Sequence, residues 1–284
     1  MWNPFNRNTI SNPSASKRSL QLITQKGMPF AYVEAYKALR TNLNFLSGSG
    51  DVHAFVVTST VPEEAKSNVS VNLALALTES GKKVVLVDCD LRKPVLHRYL
   101  KAGHNLKGVS NVLSRQVALS DALVELRDIP NLTFLPAGTT PPNPSELLSQ
   151  PQMQEMVDTL RGSYDFVILD APPISMVTDA AVIGRIVDGA LFVVRSKYAS
   201  TDAVKTALEK LQDAGVKVLG AVLTRCQKSL KRSDYGYGYY YYNSNYSYGP
   251  PDGISESAAK KSGLTSKKQH NGKEKHSVHT EDEA

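Results

Sequence analysis

The sequence predicts an α/β protein with a doubly wound, mainly parallel sheet flanked by helices. Short β-branched runs alternate with stretches of helical spacing between about Ala54 and Thr224, which is typical of repeated βαβ units. These runs are AFVVTS, KVVLVDCD, LTFLPA, FVILDAPP, GALFVVRS and VKVLGAVLT. Because they are apolar nearly throughout, we expect a sheet that is buried on both faces. Ligands of such sheets bind at the carboxyl ends of the strands, so a site is expected at that edge.

The composition excludes several classes of protein. The chain has 284 residues, 41% of them hydrophobic, and no apolar run of about 18 residues that would predict a membrane span. The first residues lack the apolar core of a secretory signal, and two isolated cysteines, Cys89 and Cys226, cannot form a disulfide framework. A cytosolic protein is therefore expected. The formal net charge of +6 is too small to indicate a nucleic-acid-binding protein.

Composition also divides the chain into four stretches. Residues 1–28 are basic and rich in Asn, Ser and Pro, which predicts a disordered arm. Such an arm either contacts an anionic membrane face or acidic partner or is merely solvated. Residues 29–227 are the predicted folded domain, which begins with an amphipathic helix over 29–48. A tyrosine-rich segment, 228–248, and a polar tail, 249–284, follow, and the tail is predicted to be disordered.

The first predicted strand leads into TSTVPEEAKSNVSVNLALAL, where Lys66 and Ser67 open a helix. Backbone N–H groups at such a helix start hold phosphate oxygens, a lysine neutralises the β and γ phosphates, and a serine hydroxyl ligates Mg²⁺. The pair therefore indicates a nucleotide-phosphate site. The signal is weak by itself, because Thr60 and Ala65 replace glycines of the generic pattern and Lys-Ser pairs are common at helix starts.

Three acids at predicted strand ends strengthen this interpretation. KVVLVDCDLRKP places Asp88 and Asp90 two residues apart, so that they point the same way, and FVILDAPP ends with Asp170. Such carboxylates can hold Mg²⁺ and receive a proton from an incoming hydroxyl. Each acid alone could be a helix cap, but all three in this order after a Lys-Ser turn are hard to obtain by accident. Cys89, between the first two, is expected to be buried and inert.

These residues together resemble the bacterial tyrosine kinases of capsular and exopolysaccharide systems, which share a P-loop core with the MinD and ParA ATPases. The resemblance covers roughly residues 30–248: the loop PEEAKS, the motifs DCDLRKP and ILDAPP, the stretch LPAGTTPPNPSELL and the tyrosine cluster. It implies the P-loop NTPase fold, ATP and Mg²⁺ as cofactors, and protein-tyrosine kinase activity that regulates polysaccharide polymerisation and export.

The resemblance also assigns roles to residues. Lys66 and Asp88 would be catalytic, with Asp88 accepting the proton of the attacking tyrosine, and Ser67, Asp90 and Asp170 would serve the metal. The expected nucleotide-binding residues are Pro62, Glu63, Glu64, Ala65, Lys66, Ser67, Asn68 and Arg225. The expected phosphate acceptors are the eight cluster tyrosines, Tyr235, Tyr237, Tyr239, Tyr240, Tyr241, Tyr242, Tyr246 and Tyr248.

Partners follow from the same resemblance. The stretch EAYKALRTNL resembles the family's ring-assembly helix, in which Glu34, Lys37 and Arg40 match an acid-x-x-basic-x-x-basic pattern. Lys37 replaces the customary arginine, so bidentate pairing to a neighbouring carboxylate is lost while the charge remains. Subunits would dock their tails into neighbouring sites and separate once phosphorylated, because each phosphate adds about 1.5 to 2 negative charges. A separate transmembrane activator of the polysaccharide co-polymerase type would recruit the kinase to the inner face of the cell membrane. Other tyrosine-phosphorylated proteins are further candidate substrates.

The sequence departs from the family pattern at two further places, both in the expected nucleotide site. Family phosphate loops resemble PGEGKS or PGAGKS, so Ala65 is strained if its backbone needs a positive φ, and Glu63 and Glu64 bring carboxylates near an anion site unless they turn outward. Thr224 stands where relatives often carry an asparagine that reads adenine, although Arg225 could stack on the base. Two alternatives therefore stay open: a positioning ATPase of the MinD and ParA type, and an impaired pseudokinase scaffold.

Overall fold

The structure is a computed structural model that describes residues 21–48, 52–103 and 105–226. The tyrosine cluster, the polar tail and residues 1–20 of the predicted arm lie outside the described residues. The described helices are α1 (Phe30–Gly48), α2 (Lys66–Thr78), α3 (Leu96–Tyr99), α4 (Val109–Leu113), α5 (Leu119–Ala122), α6 (Pro144–Leu148), α7 (Pro151–Ser163), α8 (Asp179–Gly184) and α9 (Thr201–Asp213). The described strands are β1 (Ala54–Ser59), β2 (Val84–Asp88), β3 (Val124–Glu125), β4 (Leu132–Leu135), β5 (Phe166–Asp170), β6 (Ala190–Arg195) and β7 (Val218–Thr224).

The strands form one sheet in the order β3-β4-β2-β5-β1-β6-β7. All neighbours run parallel except β3 and β4, which are antiparallel. This confirms the predicted doubly wound, mainly parallel sheet, and the six predicted strands correspond to six of those observed. The additional strand, β3, is only two residues long and has no apolar run to reveal it.

Alternate residues along the strands belong to two hydrophobic clusters, one on each face of the sheet. On one face the strands pack against α1, α2 and α3, and on the other mainly against α7, α8 and α9. Helix α2 has almost no solvent-facing side because it lies between the sheet and α1, which explains why its sequence NVSVNLALAL carries no charged residue and is apolar in its second half. This burial fixes the helix that follows the phosphate loop, and hence the position of Lys66 and Ser67.

Two expectations about burial are wrong. The last strand, β7, is partly exposed rather than buried on both faces, with Leu223 59% accessible, because it lies at the edge of the sheet. Residues 21–23, assigned to the disordered arm, lie against the domain. Ile23 is buried, and its N–H donates to Asn72 Oδ1 at 2.8 Å, so the ordered domain begins before the predicted boundary. Among the described helices, none has the length and apolarity needed to cross a bilayer.

Candidate active site

The carboxyl edge of the sheet brings together residues that are far apart in the sequence. Asp88 and Asp170 are the last residues of neighbouring strands β2 and β5, and they are paired in register. On the other side of β5, β1 ends at Ser59 and leads into the loop that opens α2 at Lys66. A parallel sheet places these strand ends side by side, so the acids and the loop meet at one site.

The ammonium group of Lys66 lies among the acids. Its Nζ is 3.2 Å from Asp90 Oδ2, 3.3 Å from Asp170 Oδ2 and 3.3 Å from Ser67 Oγ. Burial opposes the charged form of this lysine, but the carboxylates of Asp170, Asp90 and Asp88 together outweigh burial and raise its pKa. The ammonium therefore stays charged at neutral pH.

The carboxylate of Asp170 is fully buried, and both of its oxygens accept hydrogen bonds. Its Oδ2 accepts a 2.6 Å hydrogen bond from Ser67 Oγ, and its Oδ1 accepts one of 3.0 Å from Ser70 Oγ. Burial raises the pKa of this carboxyl, while Lys66 and the Ser67 hydroxyl oppose the rise. Ser70 was not among the predicted site residues. Its spacing of three from Ser67 on one helix face is the signal that could have found it.

Asp88 and Asp90 orient the loop after β2. The two oxygens of Asp88 accept the N–H groups of Asp90 and Leu96, each at 3.2 Å, so Asp88 also braces the start of α3. Burial and then the charge of Asp170 raise the pKa of Asp88 to about 8. Asp90 accepts the N–H of Lys93 through one oxygen at 3.0 Å and offers the other to Lys66. Asp88 and Asp90 therefore accept backbone N–H groups of this loop and at the same time lie beside Lys66.

The loop before α2, with the sequence PEEAKS, holds a positive φ at two residues that are not glycine. Glu63 and Ala65 have φ of 70° and 73°, in the left-handed region that favours glycine, and Ala65 is the residue that precedes α2. The condition for strain at Ala65 is thus met. Pro62 and Glu63 are exposed at the tip, whereas Glu64 is 1% exposed and both oxygens of its carboxylate accept backbone N–H groups.

Two predicted nucleotide-binding residues have other environments. Asn68 turns its side chain toward α1, where its Oδ1 accepts the hydroxyls of Tyr32 and Tyr36 at 3.0 Å each, and its part in nucleotide binding stays a prediction. Arg225 follows the edge strand, is exposed and has a φ of 53°. The hydroxyl of Thr224 donates to Glu64 O at 3.0 Å, which ties the last strand to the phosphate loop.

The predicted assembly residues lie along α1. Lys37 pairs with Glu34 at 2.8 Å on the same helix, and Arg40 donates through Nη1 to Ala76 O of α2 at 2.8 Å. Arg40 therefore holds α1 against its own domain. Cys89, as expected, is fully buried, and burial raises the pKa of its thiol well above the usual range, which keeps it unreactive.

The donor set suits a divalent cation that keeps other ligands. Three buried carboxyl groups, those of Asp88, Asp90 and Asp170, surround a single ammonium, that of Lys66. In the described part of the chain no group of three or more His, Cys, Asp or Glu residues is arranged to hold a metal ion by itself. Mg²⁺ is usually bound by one or two protein oxygens together with phosphates and water, so Ser67 and the acids fit that ion better than a structural metal.

Comparison with known sequences agrees with this arrangement. Residues 64–219 match the family model described as the AAA domain. The chain is 37% identical to the tyrosine-protein kinase YwqD of Bacillus subtilis over 203 residues, 72% of this chain and 84% of YwqD. It is 35% identical to the tyrosine-protein kinase CpsD of Streptococcus agalactiae over 72% of this chain and 88% of CpsD. The chain belongs to the bacterial tyrosine-protein kinases. The kinase and its relatives therefore share nearly the whole folded domain.

Solved structures place the kinase in the same group. The chimerical protein CapA2B2 matches with a TM-score of 0.68 and 35% identity over 74% of this chain and 91% of CapA2B2. MinD of Pyrococcus horikoshii, solved with Mg-ADP, matches with a TM-score of 0.53 and 25% identity over 61% of this chain and 70% of MinD. The fold is thus that of the MinD-like P-loop NTPases, and the chain is a protein-tyrosine kinase.

Proposed function

We propose that this kinase transfers the γ-phosphoryl group of ATP to the tyrosines of its own cluster, Tyr235 to Tyr248, at the carboxyl edge of the sheet. The observation that carries the proposal is the convergence of Lys66, Ser67 and Asp170 within hydrogen-bonding distance at the start of α2. When bound, Mg-ATP supplies the phosphoryl group and a divalent charge. Phosphoryl transfer needs mainly positioning and charge stabilisation, which this site is built to give.

The residues divide the work as follows. Lys66 would neutralise phosphate oxygens, since its ammonium is charged and lies at the helix start. Ser67, Asp90 and Asp170 would supply the oxygens that hold Mg²⁺. Asp88 takes the proton from the tyrosine hydroxyl. A base is most effective when its pKa is near the working pH, and the raised pKa of Asp88 supports that role.

The tyrosine cluster suits the role of substrate because of its composition. Eight tyrosines between 235 and 248 are interleaved with Gly, Ser and Asn, and no basic residue occurs among them. Each phosphate adds about 1.5 to 2 negative charges, so several together turn an aromatic segment into a self-repelling one. We infer that this change separates docked subunits and thereby regulates capsular or extracellular polysaccharide polymerisation and export.

Assembly and recruitment complete the proposal. Helix α1 exposes Phe30 (69% accessible) and Phe45 (75% accessible), besides the Glu34–Lys37 pair, and this face would pack between copies in a ring. A separate transmembrane activator would hold the kinase at the inner face of the cell membrane. Sedimentation velocity of Glu34→Lys tests the ring: loss of the oligomer is expected, with Glu155→Lys on α7 as the control. An unchanged oligomer would remove α1 from the interface.

Phosphotyrosine mapping by mass spectrometry tests the kinase proposal itself. Full-length protein is incubated with Mg-ATP, with and without an activator's cytoplasmic segment, beside a variant whose eight cluster tyrosines are phenylalanine. Phosphate on the cluster of the natural chain is expected. ATP hydrolysis without any phosphotyrosine would instead indicate a positioning ATPase, and the absence of nucleotide binding would indicate a pseudokinase scaffold.

A further inference from the structure

Glu64 is a buried acid in the middle of the phosphate loop. Its Oε2 accepts the N–H of Val61 at 2.9 Å, and its Oε1 accepts the N–H of Arg195, the last residue of β6, at 3.2 Å. Its own carbonyl oxygen accepts the hydroxyl of Thr224, the last residue of β7, at 3.0 Å. One residue thus connects the loop to itself and to the ends of two strands.

The loop needs such connections because of its neighbours. Glu63 and Ala65, on either side of Glu64, both hold positive φ, which a side chain with a Cβ disfavours. Strained backbone of this kind persists only where surrounding contacts determine it. The carboxylate of Glu64 provides two of those contacts and Thr224 a third. The side chain of Glu63 is not equivalent, because it is exposed, and the hydroxyl of Tyr198 lies 3.4 Å from its Oε2.

We propose that Glu64 is a positioning residue for ATP, which fixes the phosphate loop in its binding shape without touching the nucleotide. This inference rests on the proposed role of the loop as the phosphate site. If the loop samples other shapes, the apparent affinity falls by the fraction of time that it spends in the competent one. Saturating nucleotide selects the competent shape, so turnover at saturation is preserved. The effect therefore falls on KM and Kd rather than on kcat.

A second interpretation makes the opposite prediction. If Glu64 were only a negative charge close to the phosphates, its removal would strengthen ATP binding. Glu64→Gln separates the two, because it removes the charge but keeps one acceptor oxygen where the carboxylate offers two. Positioning predicts weaker binding for Glu64→Gln and still weaker binding for Glu64→Ala. Thr224→Val removes the third contact with no change in charge and is predicted to act in the same direction.

The experiment measures Mg-ADP binding by calorimetry, and KM for ATP and kcat for tyrosine phosphorylation, on the full chain. Glu64→Ala is expected to raise Kd and KM about tenfold, and Glu64→Gln and Thr224→Val about threefold. In all three variants kcat is expected to change less than about twofold. Asp188→Asn is the matched control, since Asp188 also accepts two backbone N–H groups, His53 and Ala54, but at the other end of β1. That variant is expected to leave Kd unchanged.

Binding that is equal or tighter in Glu64→Gln and Thr224→Val would overturn the inference. So would a fall in kcat equal to the rise in KM, because that would place Glu64 in the chemical step. If Glu64→Ala does not fold, Glu64→Gln and Thr224→Val decide by themselves. A natural chain that binds no Mg-ADP would instead contradict the proposed function, and the two failures are thus distinguishable.

Discussion

The two edges of the sheet use the same residue type in different ways. At the amino-terminal edge, Asp188 accepts the N–H groups of His53 and Ala54 at 2.7 Å each and pairs with Arg161 at 2.9 Å. Asp165 accepts the N–H of Lys83 at 2.7 Å. Each of these acids ties the start of one strand to its neighbour, and each remains partly accessible to solvent. These acids stabilise the fold.

At the carboxyl edge the acids are buried and crowded. Asp88 and Asp170 are fully buried on adjacent strands, and burial raises the pKa of both. Backbone strain occurs there as well, at Ala65. Mutually repelling buried charges and strained backbone lower stability, and they persist where a protein needs them for chemistry. Acids at both edges accept backbone hydrogen bonds, so such hydrogen bonds do not identify a functional site. A group of buried carboxyl groups that outnumbers the nearby cations does.

The largest expected effect is on activity and comes from Lys66→Met. The change removes the single ammonium among the acids and the group that would neutralise phosphate, so the initial rate of tyrosine phosphorylation should fall about a thousandfold or more. Anti-phosphotyrosine detection or γ-labelled ATP measures it. Lys210→Met, on the exposed face of α9, is the control with full activity. If Lys66→Met kept a tenth of the natural rate, phosphorylation would depend less on the carboxyl edge than the geometry indicates.

The next effect is on stability and concerns pH. In the folded state the pKa of Asp88 is raised from 3.8 to about 8, so between these values the folded protein binds more protons than the unfolded one. The free energy of unfolding therefore falls as pH rises from about 5 to 8. Asp88→Asn removes this dependence, and relative to the natural chain it should gain about 1–3 kcal/mol between pH 5.5 and pH 8.

Urea denaturation of nucleotide-free protein in EDTA measures this difference. Titrating groups far from Asp88 are common to both proteins, so their difference reports Asp88 together with the groups that it contacts electrostatically, Lys66 and Asp170. If the free energies of unfolding of the two proteins changed in parallel with pH, the pKa of Asp88 would not be raised in the folded state. The two edges would then not differ in the electrostatic environment of their acids.

The smallest effect concerns backbone strain. Ala65→Gly should stabilise the protein by up to about 1 kcal/mol, because glycine adopts a φ of 73° without a Cβ penalty. The melting temperature should rise by about 2–4 °C, measured by differential scanning fluorimetry. Ala74→Gly, within α2, is the opposite control and should lower it. A lower melting temperature for Ala65→Gly would show that the loop is not strained there.

Much of this arrangement could be predicted from the sequence. Continuous apolar runs predict buried parallel strands, and such strands place their carboxyl ends together, so Lys66, Ser67 and the acids after β2 and β5 could be expected at one site. The strain at Ala65 followed from the loop's resemblance to glycine-containing motifs. These predictions depend on local sequence and on a general rule of sheet geometry.

The rest depends on tertiary neighbours that no local pattern shows. The exposure of β7 follows from strand order, since an edge strand can have the same apolar sequence as a central one. Ile23 lies against α2, where Asn72 accepts its N–H. Asn68 faces α1, where the hydroxyls of Tyr32 and Tyr36 donate to it. Glu64 looked like a charge beside an anion site, and the backbone N–H groups of Val61 and Arg195 make it a buried acceptor.

The most direct test of the contrast between the edges is a paired measurement on Asp170→Asn and Asp188→Asn. Tyrosine phosphorylation with Mg-ATP and thermal unfolding are followed for both variants. We predict that Asp170→Asn remains folded and loses phosphorylation at least about a hundredfold, whereas Asp188→Asn melts at a lower temperature and keeps its rate within about twofold while folded. Active Asp170→Asn, or folded but inactive Asp188→Asn, would contradict the account.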